Sequence, residues 1–523
     1  MQKASIMDKY SSQENSIQNG GFMHHKNIKL IVRKQLKKQF PNWNRVSRKE
    51  KKEIAQKVLS EIVAEYDFDR AVDAPREALL GIQQQMPTKG IINLEEMAHL
   101  IDKVNKSRIT KLSNDKRSAI YIKDQELQFI DRLLDDRILN RLLAGEGYSP
   151  TMRDIFPNNL FRAELLKAIM YPEISYRKFC SEEYLGLDRK QNRVFIGLSL
   201  SKKNMIDHTQ LSKFRNSLSF VQQVNLLVYI LHHFGQSGLL GNNILHGVDS
   251  TELANDCKIP LTTLEIKKKK IRIYSDIDCD CGSRRSKRNK SPYVIGYRLH
   301  TLTAIDAKTG HSFPLVSLLA PANHHDSHFL PFLVNLAQSM GLDLKLVTAD
   351  EAYHDKDGYL FADTGVIVTT PPSVKVSAPE HTDPETGAVF CHSGCDFPML
   401  HVGVEDQMHE YKCNTSAGEC LCSSSCPQYR FLPVDGGLFQ RIPHHTDLIQ
   451  QAHDIRKNCE RPFNLLKNQT GLEIIRVRSQ NATMARCTLS SIAVLLIKMA
   501  GQRKKTSVVK PLQIPMFPER KAA

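Results

Sequence analysis

No membrane-spanning helix is expected, since one takes ~20 residues and the strongly apolar runs of this sequence are far shorter. The longest strongly apolar run, Ile492 to Ile497, stops at Lys498. The N-terminus, Met1-Gln2-Lys3, is polar and has no apolar h-region, so no secretory leader is expected. These absences argue against a membrane partner and lead to the expectation of a cytoplasmic protein. Disulfides are rare in that compartment, so the twelve cysteines are expected as thiols or metal ligands. No internal repeat is present, and no cysteine stands out with a histidine partner as a nucleophile. Acid is also in short supply: 56 Asp and Glu face 72 Lys and Arg, a formal charge of +16 and a sequence pI near 9.2. That balance suggests a polyanionic partner, although a basic protein with no nucleic acid would look the same.

What is present is enough chain for two to four domains in 523 residues, with an ordinary hydrophobic fraction of 41%. Residues 1–25 read as a disordered polar tail. From Lys26 to Lys57 twelve Lys/Arg accompany two Asp/Glu, and apolar residues recur at helical spacing (Ile28, Ile31, Val32, then Ile54, Val58, Ile62). This predicts basic amphipathic helices broken near Pro41, with a face that suits DNA phosphates or is simply solvated. Residues 26–150 are therefore expected to be a basic helical region, and 151–235 a further helical domain. Helices are predicted at Gln125–Leu143, Leu160–Met170, His208–Leu218 and Ser219–Phe234.

From Asn243 the texture changes to strands followed by helices, which implies a mixed α/β domain over 236–370. A short apolar run ends at Asp249. Tyr293 to Ile305 alternates as a half-buried strand should, a turn at Gly310 follows, and a second strand lies beyond it. A helix is expected over 326–340, and Leu344 to Asp350 is a third strand ending in an acid. Residues 371–445, rich in Pro, Gly, Ser, His and Cys, read as an inserted subdomain. Residues 446–502 complete the α/β domain with helices from Leu448 to Lys467 and Met484 to Met499, and 503–523 is a basic tail.

Asp249 and Asp350 sit at predicted strand ends, where α/β sheets present side chains to ligands. Glu460 lies on a predicted helix. Three carboxylates drawn from distant segments can hold Mg²⁺ or Mn²⁺, hard cations that prefer oxygen. Two such ions can activate the attacking oxygen and stabilise the leaving one in phosphoryl transfer. Around Glu460, at ~100° per residue, His453, Arg456, Glu460 and Lys467 share one narrow helix face. A carboxylate among cations suits a metal ligand beside DNA phosphates, or an ordinary Arg456–Glu460 surface pair. Pro462 is the tension in this picture, since proline inside a helix removes a backbone bond. Asp276, Asp278 and Asp280 are competing acids, expected in a polar loop beside the basic run Arg284 to Lys290.

Arg456, Glu460 and Lys467 match, at its spacing, the Tyr-x2-Arg-x3-Glu-x6-Lys signature of the DDE transposases of bacterial insertion sequences, with His453 at the Tyr position. "VDSTELAND", "YVIGYRLHTLTAID" and "LVTADEAYHD" resemble three further strands of that family in the same order, with Ser250 for Gly, Arg298 for Lys and Ala352 for Gly. "HTQLSKFRNSL" resembles the end of the family's helical N-terminal region in one branch. The resemblance covers roughly 150–500. It implies a ribonuclease H-like catalytic domain carrying an inserted subdomain and preceded by helical domains. It implies Mg²⁺ (or Mn²⁺) at Asp249, Asp350 and Glu460, with Arg298, Arg456, Lys467 and His453 contacting DNA. It further implies hydrolysis at the element's terminal inverted repeats, strand transfer into target DNA, a homodimer on DNA, and a bacterial, nucleoid-associated location. The alternatives are another ribonuclease H-like nuclease and an inactive or domesticated DNA-binding relative.

Six cysteines fall between Cys391 and Cys426, with His392, His401 and His409 among them. Four soft ligands can hold a structural Zn²⁺ and staple an insert that lacks a core. Cys391, Cys395, Cys413 and Cys426 are the candidate set, although the spacing is not the paired CxxC of a zinc ribbon.

Overall fold

A computed structural model describes residues 32–33, 35–41, 43, 46–65, 89–105, 117–143, 155–240, 244–257, 259–266, 269–283, 292–324, 326–353, 359–371, 378–391, 397–414, 428–434 and 438–505. The expected tail over 1–25, the basic run Arg284 to Lys290 and the chain beyond 505 lie outside the described residues.

Near the N-terminus, residues 35–39 are helical, and α1 (Arg48–Glu65) follows the expected break at Pro41. Ser47 and Glu50 cap the start of α1 reciprocally, side chain to backbone. The apolar side of this pair, Val32, Leu36, Trp43, Ala55, Val58 and Leu59, packs on Leu261, Ile273 and Ile277 of the α/β domain. Part of the basic face turns inward as well. Lys37 Nζ lies 2.7 Å from Asp278, and Arg33 lies 3.3 Å from Asp280.

Residues 274–279 do form the expected loop, with Asp280 opening a strand, but the loop is not solvated: all three aspartates are buried. Asp276 accepts from the Tyr297 hydroxyl and the Asn255 amide, and Asp278 accepts from the Gln480 backbone N–H. Every one of these partners comes from another segment, so local composition could not reveal the burial. Trp43, the sole tryptophan, donates Nε1–H to the Ser275 carbonyl at this junction. Lys37→Glu places a like charge against buried Asp278. Trp43 emission is expected to shift to the red relative to wild type, and an unchanged spectrum would contradict the docking.

The helical domain comprises α2 (Leu94–Asn105), α3 (Gln125–Leu133), α4 (Asp136–Leu143), α5 (Pro157–Met170), α6 (His208–Ser217) and α7 (Phe220–Gly235), with short helices between. The single helix expected over Gln125–Leu143 is broken, because the Tyr229 hydroxyl enters between Leu133 and Asp135. It donates to the Leu133 carbonyl and accepts from the Asp135 N–H. Arg162, buried in α5, ties Asp131, Asp136 and the Leu134 carbonyl around the break. Buried charge is tolerated here because each guanidinium nitrogen has a partner.

The strands are β1 (Ile244–Asn255), β2 (Thr262–Ile266), β3 (Lys269–Ile273), β4 (Asp280–Ser283), β5 (Tyr293–Asp306), β6 (Ser312–Pro321), β7 (Leu346–Ala349), β8 (Ile367–Thr369), β9 (Leu400–Glu405), β10 (Met408–Lys412), β11 (Tyr429–Pro433) and β12 (Ile474–Ile475). β1, β5 and β6 form an antiparallel meander, and β4 also pairs with β5. On the other side of β1, β7 and β8 run parallel to it, and β12 takes up the edge of β1 beyond β7. The result is a mixed α/β core. β1 does not end at Asp249 as expected but runs six residues further, held by β5 from Ile244 to Ala254.

One sheet face packs on α8 (Leu330–Ser339) and the helical domain through Val248, Leu302, Val347 and Ala349. The opposite face carries Leu253, Leu299 and Tyr297 against Phe463 and Leu466. These last two come from a helical run of α9 (Asp447–Arg456), a 3₁₀ turn (Lys457–Cys459), α10 (Glu460–Asn464) and a π turn (Leu465–Gln469). α11 (Gln480–Lys505) contributes to both cores. Its Gln480–Gly501 stretch is long and apolar enough to span a bilayer by composition, yet 83% of that window is buried against the rest of the fold. It is a core helix.

Residues 378–446 contain the separate β9–β10–β11 sheet, with its own small core of Val389, Cys391, Met399, Tyr411, Leu432, Leu438 and Phe439.

Candidate active site

Parallel pairing of β1 with β7 matches Val248 to Ala349, and each of these residues is followed immediately by an aspartate. Asp249 and Asp350 therefore leave adjacent strands, which lie ~4.8 Å apart. β7 stops at Ala349 while β1 continues, so Asp350 sits where the sheet edge opens. Its carboxylate caps the next turn by accepting the Ala352 N–H at 3.0 Å.

Glu460 reaches this place because the 3₁₀ turn before it approaches β1 at a glycine. A methyl group added at Gly247 would stand 2.2 Å from Cys459 Sγ, so the thiol or the turn that carries it would have to shift. Gly247 and Asp249 are two apart on the strand and share a face. Cys459 is fully buried there, and its thiol is pushed up to about 12, first by burial and then by Asp249. Glu460 is exposed at the start of α10. Pro462 then falls in the first turn of a restarted helix, where a missing N–H costs little.

The charges act on one another. Burial raises the Asp249 carboxyl to about 6, with Asp350 and Glu460 adding to the rise. The Ser250 N–H, 2.7 Å away, and Arg456 oppose it. Because the folded-state value is raised above 3.8, the folded chain holds the extra proton between these values. Stability therefore falls as pH rises through that window. Asp249→Asn is expected to be more stable than wild type by about 1–2 kcal/mol at neutral pH, discounted for partial exposure. The gain should shrink as pH drops from about 6 towards 3.8. Chemical denaturation across this pH range measures it, and a destabilised variant at neutral pH would refute the repulsion.

An all-oxygen, mutually repelling donor set matches a hard divalent cation. Mg²⁺ uses few carboxylates and keeps several waters. Among the described residues no group of three or more candidate ligands stands close enough to enclose a metal ion as the side chains lie.

The other expected site residues divide. Arg456 acts on Asp249 from the same helical run. His453 is half-buried, turned towards Thr369 (3.5 Å) and tilted against the His444 ring, and burial with Arg456 lowers its pKa. Lys467 lies in the π turn, where the uniform 100° step assumed for a straight helix no longer applies. Arg298 is not brought to the acids. It lies opposite Glu252 in the register and alternates to the other face of β5 from Thr301, the partner of Asp249. There it pairs with Asp326 at 3.0 Å.

That other face holds residues not identified as functional in the sequence. Buried His300 stacks on Phe329 at 4.0 Å and shares a 2.8 Å hydrogen bond with the Tyr353 hydroxyl. Tyr353, three residues after Asp350, also bonds to Ser250, the residue after Asp249. This network ties the backbone behind one aspartate to the backbone behind the other. The only local signal for it was the histidine in "YRLH" and the tyrosine in "DEAY".

In the insert, Cys391 is buried and Cys413 half-buried. Cys395 and Cys426 lie outside the described residues.

No family model matches this chain, and no curated protein matches it. Among solved structures, a cryo-EM structure of a piggyBac transposase synaptic complex with hairpin DNA is similar over 76% of this chain and 76% of that one. The identity is 9% and the TM-score 0.29, a likeness too slight to argue from.

Proposed function

We propose that this protein is a DDE-type DNA transposase, cleaving DNA at transposon ends and transferring the freed strand into target DNA. What supports the reading is that Asp249 and Asp350 leave adjacent strands and that Asp350 and Glu460 both act electrostatically on Asp249. Asp249 and Asp350 follow a matched pair on adjacent parallel strands, and Glu460 follows the turn seated on Gly247. The sheet, an antiparallel meander continued by parallel strands, supports a ribonuclease H-like core. The +16 charge supports a DNA substrate.

In this reading Asp249, Asp350 and Glu460 hold Mg²⁺ or Mn²⁺, which when bound would activate the attacking oxygen and stabilise the leaving one. Arg456, beside Asp249, is placed for the phosphate. Half-buried His453, with its pKa lowered, is a neutral hydrogen-bonding group at neutral pH. Arg298 acts through Asp326 in positioning the β5 side of the site, rather than on DNA. Cys391, Cys395, Cys413 and Cys426 remain the proposed Zn²⁺ set of the insert, and a homodimer on paired ends remains the proposed assembly.

The test is cleavage of DNA carrying the element's own ends, with Mg²⁺ or Mn²⁺ against chelator, for wild type and Glu460→Gln. Metal-dependent nicking lost in the variant, with end binding retained, supports the reading. Equal cleavage by both proteins overturns the carboxylate assignment, and binding without cleavage by wild type leaves a DNA-binding relative.

A further inference from the structure

The insert's three-stranded sheet has two unlike faces. Inward, His409, Tyr411, Arg430 and Leu432 are buried on the insert's own core. Outward, the alternate residues Leu400, Val402, Met408, Tyr429 and Phe431 stand 36–58% exposed. Registers Glu410↔Phe431 and Lys412↔Tyr429, with Lys412↔Leu400 on the other edge, place Leu400, Tyr429 and Phe431 on one face, with Glu410 and Lys412 of the middle strand between them. With neighbouring Phe397, the five outward residues make six of the eleven large hydrophobics exposed among the described residues. Scattered apolar residues need no explanation, but a contiguous patch marks an interaction surface.

The charge around it selects the occupant. Residues 371–446 carry nine Asp/Glu and four Lys/Arg, whereas the rest of the chain carries 47 and 68. The insert's net negative charge, with exposed Glu405 and half-buried Glu410 on or beside this sheet face, disfavours phosphate, so aromatic side chains here do not make a nucleic-acid platform. It attracts a basic protein surface. We propose that this face docks a second copy of this chain, through a basic surface outside the second copy's insert. The exposed cations Arg48, Lys49, Lys52 and Lys57 of α1 illustrate such a surface. Stacking insert on insert would oppose like charges, whereas insert against basic surface, made twice about a two-fold axis, closes a dimer. The association needs no DNA.

The test is the mass of the full chain without DNA, by sedimentation equilibrium at micromolar concentration. Wild type is compared with the Val402→Glu, Phe431→Glu double variant and with Ile120→Glu as an exposed control elsewhere. The expected result is a wild-type dimer weakened at least tenfold in the double variant, intact in the control, and weakened by added salt. In parallel, radical labelling of Tyr429 and Phe431 in wild type should fall as protein concentration rises, which needs no variant to fold. A wild-type monomer throughout, a dimer indifferent to the double variant, or labelling independent of concentration overturns the proposal.

Discussion

Glu460→Gln, Asp249→Asn and Asp350→Asn are each expected to slow metal-dependent cleavage by ~10³-fold or more, and any double variant to be scarcely slower than a single one. Non-additivity follows if the three carboxylates hold the same ions, because losing one already loses the charge arrangement that the others support. Binding should change in the opposite direction. Asp249 is already raised to about 6 by burial and by its acidic neighbours, so the site without metal repels phosphate. Removing one charge should leave metal-free affinity for DNA ends equal or somewhat higher, since like charges at short range cost energy in a partly buried site. Single-turnover cleavage and a binding titration in chelator, on the same proteins, separate the two effects. Cleavage within a few-fold of wild type in any of the three would remove that residue from the site. Asp276, Asp278 and Asp280 offer no fallback set, since they are buried on Tyr297, Asn255, Lys37, Arg33 and the Gln480 backbone.

The strands of the core were legible from their apolar runs, although Tyr293–Asp306, expected as a half-buried strand, is buried on both faces from Leu299 onward because it lies between β1 and β6. Tyr293–Asp306, Ser312–Pro321 and Leu346–Ala349 all form where the pattern placed them. That Asp249 and Asp350 become neighbours was not legible, since strand order is a tertiary fact and only each acid's position after an apolar run was local. The same limit explains the misread acids at 276–280, whose partners lie as far away as Arg33. It also explains Arg298, which looked available until Asp326, 28 residues on, claimed it. The break at Leu134–Asp135 was set by Tyr229 from another helix, overriding a good local helical pattern. Periodicity around Glu460 found the helix but not its 3₁₀ and π turns, which shift later side chains such as Lys467 around the axis.

Gly247→Ala is expected to damage the site, lowering cleavage by ~10²-fold and stability by about 1–3 kcal/mol. The new methyl would meet Cys459 Sγ at 2.2 Å, with Ile305 at 3.2 Å and Thr348 at 3.5 Å closing the other sides. Carbon and sulfur need well over 3 Å, and with Cys459 fully buried its one rotatable bond offers little relief, so the 457–460 turn is expected to move by roughly 1 Å. Glu460 is the next residue, and a displacement of that size in a metal-binding group is costly. The same contact supplies its own control. Cys459→Ala removes the sulfur and should cost only about 1 kcal/mol on its own. Combined with Gly247→Ala, it gives the new methyl the space the sulfur vacates. The double variant should therefore recover much of the cleavage and stability that Gly247→Ala loses, a coupling of about 1–2 kcal/mol in a double-mutant cycle. Additive losses would mean that the turn is held over β1 by something other than this contact. Full activity in Gly247→Ala alone would mean that Glu460 does not depend on the seat at Gly247.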